Sequence, residues 1–317
     1  MSIILITGAH GFIGKHLSSY LSNAGYNVFG LGHGSWSKVD ALNWGVKNWM
    51  RGDVQIDNLR KICSQEKPEI IFHLAGGATV SDGQKNPDQD FFKNVTSTSE
   101  LLEWIRRDTP ISKLVVASSA SVYGQGFDGP VSENSICEPY STYGKNKKKM
   151  ELMCQFYKKK YNLNIKIARL FSVYGAELKK QLLWDICIRL KKMETPLILG
   201  GTGNESRDWI YIDDLVNILA SIGLNNLKMK NEFIVNIGTG IGKTIKEIAE
   251  IVLFNWNKQM NLSTKCKIEF SGISRPGDPF SLVADTSRLS KLGLSYKMTP
   301  KMGINLYVNW FQKLKKF

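Results

Sequence analysis

The 317-residue sequence contains few of the side chains that bind metal ions or form cross-links. Its five cysteines are widely scattered and include no C-x-x-C pair, which is typical of reduced thiols in the cytoplasm. Its four histidines, His10, His16, His33 and His73, lack the paired spacing of a metal site. No apolar run approaches the length of a membrane span, and residues 3–6 are too short for the core of a signal peptide. We therefore expect a cytoplasmic protein with no metal site and no membrane partner.

Acidic residues are also scarce relative to basic ones. The chain has 28 Asp and Glu against 42 Lys and Arg, a formal net charge of +14 at pH 7. The basic runs at 145–149, 158–160 and 313–316 have no interleaved aromatic residues and no accompanying nucleic-acid-binding motif. We interpret these runs as solvated helix faces whose charge also attracts polyanionic ligands. No nucleic-acid partner is predicted.

Apolar runs and helical patterns alternate along the first 175 residues. The apolar runs at 3–6, 27–31, 70–74, 114–117 and 165–168 alternate with helical patterns near 15–24, 57–66, 90–107 and 143–161. This order is typical of βαβ units and predicts an α/β fold with a doubly wound parallel sheet. The alternation is lost after Gly175, so a different arrangement is expected in the remainder of the chain.

Three glycines with regular spacing follow the first predicted strand and open the first predicted helix. Gly8 would allow a tight turn, Gly11 would let the backbone approach a pyrophosphate, and Gly14 would let the helix pack against the strand. The phosphates would lie at the positively polarised N-terminus of the helix. The motif therefore predicts a dinucleotide-binding site. Further contacts within the motif are expected from His10, Phe12 and Ile13.

A serine, a tyrosine and a lysine form a second motif. Tyr143 and Lys147 are four residues apart on a predicted helix, and Ser119 ends the preceding predicted strand. Side chains with this helical spacing share a face, so the ammonium would stabilise the tyrosinate and lower the pKa of the phenol. Ser119 would hydrogen-bond the same substrate oxygen. The set predicts proton transfer at a carbinol oxygen while its carbon gains or loses a hydride.

Together these motifs resemble the extended short-chain dehydrogenase/reductase family, and within it the nucleotide-sugar epimerases, dehydratases and 4-keto reductases. Further segments match the family in the same order, at 73–76, 94, 169–175, 200–204, 207–214, 236–240, 275–278 and 285–293. The resemblance covers nearly the whole chain and implies a parallel Rossmann sheet with a smaller C-terminal substrate-binding lobe. It assigns residues 1–173 and 207–238 to the dinucleotide-binding domain, and 174–206 and 239–317 to the lobe. It also implies a homodimer.

The resemblance implies functional residues beyond the two motifs. The cofactor would also contact Asp53, Val54, Leu74, Ala75, Gly76, Asn94 and Val173, in addition to Tyr143 and Lys147. A nucleotide-diphosphate sugar would contact Thr79, Ser119, Ser121, Tyr123, Ser172, Gln181, Arg207 and Arg275. The two arginines would bind the diphosphate through charge-assisted hydrogen bonds.

Two departures from the family pattern narrow the reaction and the cofactor. In sugar 4,6-dehydratases the catalytic serine or threonine is followed by Asp-Glu, but Ala120 and Ser121 cannot act as that acid and base. NAD enzymes normally place a carboxylate at the end of the second strand. Here His33 and Ser35 stand in that region, and no carboxylate follows until Asp40. This pattern predicts a preference for NADP(H), with NAD(H) as the alternative.

The main hypothesis from the sequence is an NADPH-dependent 4-keto reductase of a nucleotide-linked 4-keto-6-deoxyhexose, in the biosynthesis of a deoxysugar for a surface polysaccharide. The alternative is a nucleotide-sugar 4-epimerase that acts on a UDP-hexose and retains NAD. Ser172 argues against the epimerase, because many epimerases carry asparagine there. A third hypothesis is a non-catalytic dinucleotide-sensing protein, which the intact Ser119, Tyr143 and Lys147 disfavour.

Overall fold

The structure, a computed structural model, describes residues 2–77, 80–224, 233–260, 266–273 and 279–314. The strands are β1 (Ile3–Thr7), β2 (Asn27–Gly32), β3 (Val46–Arg51), β4 (Ile70–His73), β5 (Lys113–Ser119), β6 (Ile165–Leu170), β7 (Ser172–Tyr174), β8 (Leu197–Leu199), β9 (Ser206–Tyr211), β10 (Ile234–Ile237), β11 (Gly242–Thr244), β12 (Ile268–Phe270) and β13 (Ser281–Leu282). The α-helices are α1 (Phe12–Asn23), α2 (Lys38–Asn43), α3 (Ile56–Ile62), α4 (Val80–Lys85), α5 (Pro87–Phe91), α6 (Ser97–Asp108), α7 (Thr142–Tyr161), α8 (Gln181–Lys191), α9 (Ile212–Leu224), α10 (Ile245–Met260), α11 (Ser287–Lys291) and α12 (Pro300–Gln312).

Seven parallel strands form the central sheet, in the order β10-β6-β5-β4-β1-β2-β3. This confirms the predicted α/β fold with a parallel Rossmann sheet. The strand order reverses between β1 and β4, since the chain runs outward from β1 in one direction and from β4 in the other. Ligands of open α/β sheets bind at such a switch point, in the crevice beyond the carboxyl ends of the strands.

The apolar run that predicted the first strand is buried on both faces of the sheet. All five residues of β1 are buried, as expected for a central parallel strand covered by helices on both sides. Ile4 and Ile6 pack in one core with α1 and α9, whereas Leu5 packs in a second core with α3, α6 and α7. The alternation follows from the opposite directions of successive side chains along a strand.

The later part of the chain builds two smaller sheets. Strand β9 pairs with β7 and β13 in parallel and with β11 in antiparallel orientation, while β8 pairs with β12. One predicted domain boundary, at residue 207, falls inside β9, and β9 continues directly into α9. The domain limits therefore stay a prediction. No helix in the described part of the chain has both the length and the apolar surface needed to cross a bilayer.

Candidate active site

A cavity of about 700 Å³ lies beyond the carboxyl ends of strands β1 to β6. Most of the residues proposed from the sequence line it, although they come from separate loops. They are Gly8, His10, Gly11, Phe12, Ile13, Gly14, His33, Asp53, Val54, Leu74, Ala75, Gly76, Ser119, Ser121, Tyr143, Lys147, Ser172, Val173, Gln181 and Arg207. The fold thus brings the predicted cofactor and substrate residues to one place.

The glycine motif forms the turn between β1 and α1 at one end of the cavity. Gly8 has a φ of +76°, and a Cβ atom there would lie 2.7 Å from the backbone nitrogen of Ala75. A Cβ atom on Gly14 would overlap the carbonyl oxygen of Gly8. No side chain caps α1 at Gly11, so backbone N–H groups of its first turn face this end of the cavity. This close backbone cradle fits the pyrophosphate of a dinucleotide.

The ribose end of the cavity differs from the sequence expectation. His33 Nε2 lies 2.7 Å from the Oδ1 atom of Asp53, which follows β3. A carboxylate therefore stands beside the end of β2, although the local sequence of β2 offers none. Ser35 is exposed and is not among the residues that line the cavity. Burial, reinforced by the charge of Lys15, lowers the pKa of His10, so His10 supplies no cation for a 2′-phosphate at neutral pH.

The serine, tyrosine and lysine lie together at the other end of the cavity. Ser119 is the last residue of β5, and its Oγ atom donates to Ser121 Oγ at 3.0 Å and accepts from Ser121 N at 3.2 Å. Helix α7 begins after Ser141, whose Oγ atom accepts the backbone N–H of Gly144. This cap places Tyr143 in the first turn of the helix. Lys147 follows one turn later, with Nζ 5.9 Å from the centroid of the Tyr143 ring.

Burial governs the pKa values of both side chains. It raises the pKa of Tyr143 to about 12, and the hydrogen bond with Ser119 opposes this rise only in part. Burial lowers the pKa of Lys147 to about 8. The expected lowering of the tyrosine pKa by Lys147 is not seen: burial and the charge of Asp90 raise this pKa, and the Ser119 hydrogen bond lowers it. The reason is geometric, because Lys147 Nζ is directed at the carbonyl oxygen of Ala117, 2.9 Å away.

Tyr123 and Asn94, like Ser35, are predicted residues that lie outside the cavity lining. The Tyr123 hydroxyl is buried and donates to Asn236 Oδ1 at 2.6 Å, so it supports the fold beneath the site. Asn94 is also buried, and its Oδ1 atom accepts the backbone N–H of Gly77 at 3.2 Å. Asn94 therefore holds the loop that follows β4 in place through this hydrogen bond. Thr79 and Arg275 lie outside the described residues.

Sequence reasoning missed a buried carboxylate, Asp90, which lies behind the same loop. A single aspartate on a short helix has no motif that would mark it, and one of its two amide donors, Asn146, is 56 residues away in the chain. The sequence also did not point to Gly77, Val80 or Tyr140, which line the cavity. Among the described residues, no group of three or more His, Cys, Asp or Glu side chains is arranged to hold a metal ion.

Comparison with known proteins identifies the family. The family described as the NAD dependent epimerase/dehydratase family matches residues 4–238. The chain belongs to this family. The expectation of an NAD(P)-dependent enzyme acting on a nucleotide sugar is thereby confirmed, and a non-catalytic dinucleotide sensor is disfavoured.

Individual relatives are similar over nearly their whole length. A protein of Methanocaldococcus jannaschii, provisionally named a UDP-glucose 4-epimerase, is 32% identical over 98% of both chains. The UDP-glucuronate 4-epimerase of Thermodesulfobacterium geofontis is 29% identical, with 98% of this chain and 96% of that protein covered. The crystal structure of the UDP-glucuronic acid 4-epimerase of Bacillus cereus with UDP-glucuronic acid and NAD superposes with a TM-score of 0.86. It shares 27% identity and covers 98% of this chain and 99% of its own. The named cofactor is NAD, so these comparisons give no support to the predicted preference for NADP(H).

Proposed function

We propose that the protein is an NAD-dependent 4-epimerase of a UDP-linked sugar. The observation that carries the proposal is the geometry of the cavity: the glycine turn lies at one end, and Ser119, Tyr143 and Lys147 lie at the other. Relatives named as 4-epimerases of UDP-sugars, similar over nearly the full chain, support the choice of reaction. This was the alternative hypothesis from the sequence, and it replaces the 4-keto reductase as the main one.

Each residue of the set has a distinct task in this reaction. When bound, a nicotinamide dinucleotide would accept a hydride from C4 of the sugar and return it to the opposite face. The Tyr143 phenolic oxygen takes the proton of the C4 hydroxyl as that carbon is oxidised, and gives it back when the carbon is reduced again. Ser119 donates a hydrogen bond to the same sugar oxygen. Lys147, as an ammonium, favours the tyrosinate form that the first proton transfer requires.

The segment after Ser119 limits the chemistry to a single carbon. Ala120 and Ser121 carry no group that could remove a proton from C5 or protonate a leaving hydroxyl at C6. The sugar ketone therefore cannot proceed to elimination through these residues. With the proton held by Tyr143, the ketone is returned to an alcohol, and the reaction ends without net oxidation or reduction.

A 4-keto reductase that uses NADPH is the second candidate. It is favoured by the end of β2, where the side chain after Gly32 is the exposed His33 rather than a carboxylate. The nearby Asp53 argues in the other direction, because its charge would repel a 2′-phosphate. We therefore propose NAD as the cofactor of the epimerase. NADP remains the cofactor of the alternative reductase.

The two candidates are separated by substrate conversion without added cofactor. The purified protein should convert UDP-glucose, UDP-glucuronate or UDP-N-acetylglucosamine into its C4 epimer, with products resolved by ion-exchange chromatography. Acid denaturation should release NAD from the same preparation, because a 4-epimerase regenerates and retains its cofactor. The Tyr143→Phe variant is the control for contaminating activity. Consumption of NADPH with a 4-keto-6-deoxy sugar, and no epimerisation of the three UDP-sugars, would establish the reductase instead.

A cytoplasmic homodimer is part of the proposal. The large apolar side chains of Phe91 on α5 and of Leu152 and Phe156 on α7 are exposed, and such patches mark association surfaces. The five cysteines are all free, which is consistent with the cytoplasm. Light scattering should give twice the monomer mass for the native protein and the monomer mass for Phe156→Glu. The control Ile111→Glu, at an exposed apolar residue before β5, should stay dimeric.

A further inference from the structure

Asp90 on α5 is a buried carboxylate beside the active site that the mechanism above does not use. Its side chain is 4% exposed. The Oδ1 atom accepts a hydrogen bond from Asn94 Nδ2 at 3.0 Å, and the Oδ2 atom accepts one from Asn146 Nδ2 at 2.8 Å. An ionised carboxylate only accepts hydrogen bonds, and each oxygen of Asp90 has one amide donor. The ion pairs among the described residues include none to Asp90, so its charge is not neutralised by direct contact.

The Asn94 amide connects Asp90 with the surroundings of Lys147. Its Nδ2 atom donates to Asp90, while its Oδ1 atom faces the loop of Gly76 and Gly77. A Cβ atom on Gly76 would lie 2.7 Å from Asn94 Oδ1 and 3.1 Å from Lys147 Nζ. The amide oxygen of Asn94 and the ammonium of Lys147 therefore both lie close to Gly76. Asn146, the other donor to Asp90, directly precedes Lys147 on α7.

Lys147 is a buried cation with little compensation from its other neighbours. Its side chain is largely enclosed, and its short hydrogen bond is to an uncharged acceptor, the carbonyl oxygen of Ala117. Glu151 lies one turn further along α7, but its carboxylate forms a bidentate pair with Arg169, with distances of 3.0 and 2.7 Å. The paired arginine opposes the field of that carboxylate, and Glu151 raises the pKa of Lys147 less than Asp90 does. The remaining titratable groups around Lys147 are Tyr143 and Cys154 on α7 and His73 on β4. All three are neutral at pH 7. Burial raises the pKa of the phenol and of the thiol, and it lowers the pKa of the imidazole.

We propose that Asp90 is a positioning residue whose fixed negative charge, held by Asn94 and Asn146, keeps the buried Lys147 protonated. Asp90 does not line the cavity, and it acts on the reaction through Lys147. The consequence for catalysis rests on the proposed function, but the protonation of Lys147 does not. Burial lowers the pKa of Lys147 to about 8 even with Asp90 in place, and Asp90 is the largest of the charges that oppose the decrease. Without Asp90 the ammonium would lose its proton closer to neutral pH.

The test follows the protonation of Lys147 directly. Protein labelled with ¹³C at the ε carbon of lysine is titrated by NMR, and the Lys147 signal is assigned by its absence from Lys147→Arg. We expect a midpoint near pH 8 in the native protein and a midpoint lower by about 1 pH unit or more in Asp90→Asn. Asp88→Asn, an exposed carboxylate two residues earlier on α5, is the matched control and should not move the midpoint. Asp90→Ser, which removes the same charge with a smaller side chain, should shift it in the same direction and stands in for Asp90→Asn if that variant does not fold.

Two further measurements separate charge from packing, and this proposal from the proposed function. Asp90→Glu keeps the charge, so its midpoint should stay near that of the native protein. The proposal would be overturned if the midpoint of Asp90→Glu fell as far as that of Asp90→Asn. It would also be overturned if the midpoint of Asp90→Asn did not change. In the epimerase assay, the alkaline limb of the kcat profile should move to lower pH by the same amount, while the Kd for NAD at pH 6.5 stays unchanged. A shifted NMR midpoint in a protein without epimerase activity would uphold the role of Asp90 and reject the epimerase.

Discussion

In the proposed reaction Tyr143 exchanges protons at neutral pH, although burial raises its pKa to about 12. A phenol with that pKa donates a proton readily to a developing alkoxide, but it does not act as a base by itself. In the proposed mechanism two groups favour the tyrosinate: the Ser119 hydrogen bond, which lowers the pKa of Tyr143, and the Lys147 ammonium one helical turn away. The reactivity of Tyr143 therefore depends on the charge state of Lys147, whose own pKa lies near 8.

Replacing Tyr143 should separate proton transfer from cofactor binding. We expect Tyr143→Phe to lower kcat by roughly 10² to 10⁴, the usual contribution of a positioned acid or base, while the Kd for the dinucleotide barely changes. Lys147→Met should decrease both kcat and cofactor affinity, because Lys147 is predicted to serve both. Steady-state kinetics and fluorescence titration of NADH measure the two effects. An equal loss of NADH affinity in both variants would contradict this division of roles.

Asp53 should determine the choice between NAD and NADP. Its carboxylate, 2.7 Å from His33, would repel a 2′-phosphate, so protein stripped of its dinucleotide should bind NADH at least tenfold more tightly than NADPH. Asp53→Asn should narrow this ratio by roughly tenfold, about 1.4 kcal/mol. Fluorescence titration with both cofactors measures the ratio, and the exposed Ser35→Ala is the control. Tighter binding of NADPH by the native protein would restore the preference predicted from the sequence.

At the level of secondary structure, α7 organises the site because it carries Tyr143 and Lys147 on one face and Glu151 one turn further. Glu151 fixes the helix to the sheet: it accepts two hydrogen bonds from Arg169 on β6 and one from Ser118 on β5. Both side chains of the pair are nearly fully buried. The position of the proposed catalytic residues relative to the strand ends thus depends on a buried ion pair.

Breaking this pair should destabilise the protein strongly. Glu151→Gln leaves the Arg169 guanidinium buried without a counter-charge, and the loss of one partner from a buried pair costs about 3–5 kcal/mol. Chemical unfolding followed by circular dichroism measures the free energy. Asp108→Asn, which removes one partner of the exposed pair with Arg60, is the matched control and should cost at most about 1 kcal/mol. Similar losses in the two variants would show that Glu151 contributes no more than a surface charge.

The elements that sequence could predict are those whose signal is local. The apolar run of β1 and the glycines after it mark a strand, a turn and a helix within fourteen residues, and the spacing of Tyr143 and Lys147 fixes their common face on α7. The pairing of His33 with Asp53 could not be predicted, because it joins loops after two different strands. Asp90 was missed because no motif marks it and because one of its two donors, Asn146, lies far away in the chain on α7.

At the level of the whole molecule, His73 should make stability depend on pH. It is fully enclosed at the end of β4, with Nδ1 2.7 Å from Thr7 Oγ1 and Nε2 3.0 Å from Thr98 Oγ1. Burial lowers its pKa to about 3, whereas an unfolded histidine titrates near 6.5. The Thr98 hydroxyl donates to Asn94 O, so it accepts the Nε2–H of a neutral ring.

Between pH 6.5 and pH 3 the unfolded chain binds one proton more than the folded protein at this residue. The free energy of unfolding should therefore fall as the pH falls, by about 1.4 kcal/mol per pH unit from His73 alone. Above pH 6.5 the residue is neutral in both states and contributes no slope. Urea unfolding between pH 7 and pH 5 measures the dependence. His73→Asn should be less stable at pH 7, and its free energy of unfolding should depend less steeply on pH. An unchanged pH dependence in this variant would mean that groups other than His73 cause the loss of stability in acid.

The pairing of β9 with β13 has a consequence for how the protein is made. Strand β9 pairs with β7, which is synthesised before it and ends at residue 174. It also pairs with β13, which is synthesised later, at residues 281–282. The central sheet is likewise incomplete until β10, at residues 234–237, has reached β6. The nascent chain must therefore hold an unfinished sheet edge in solution until most of translation is over. A growing chain of this topology is expected to need protection by chaperones late in synthesis, and fragments that end before residue 281 should aggregate rather than fold.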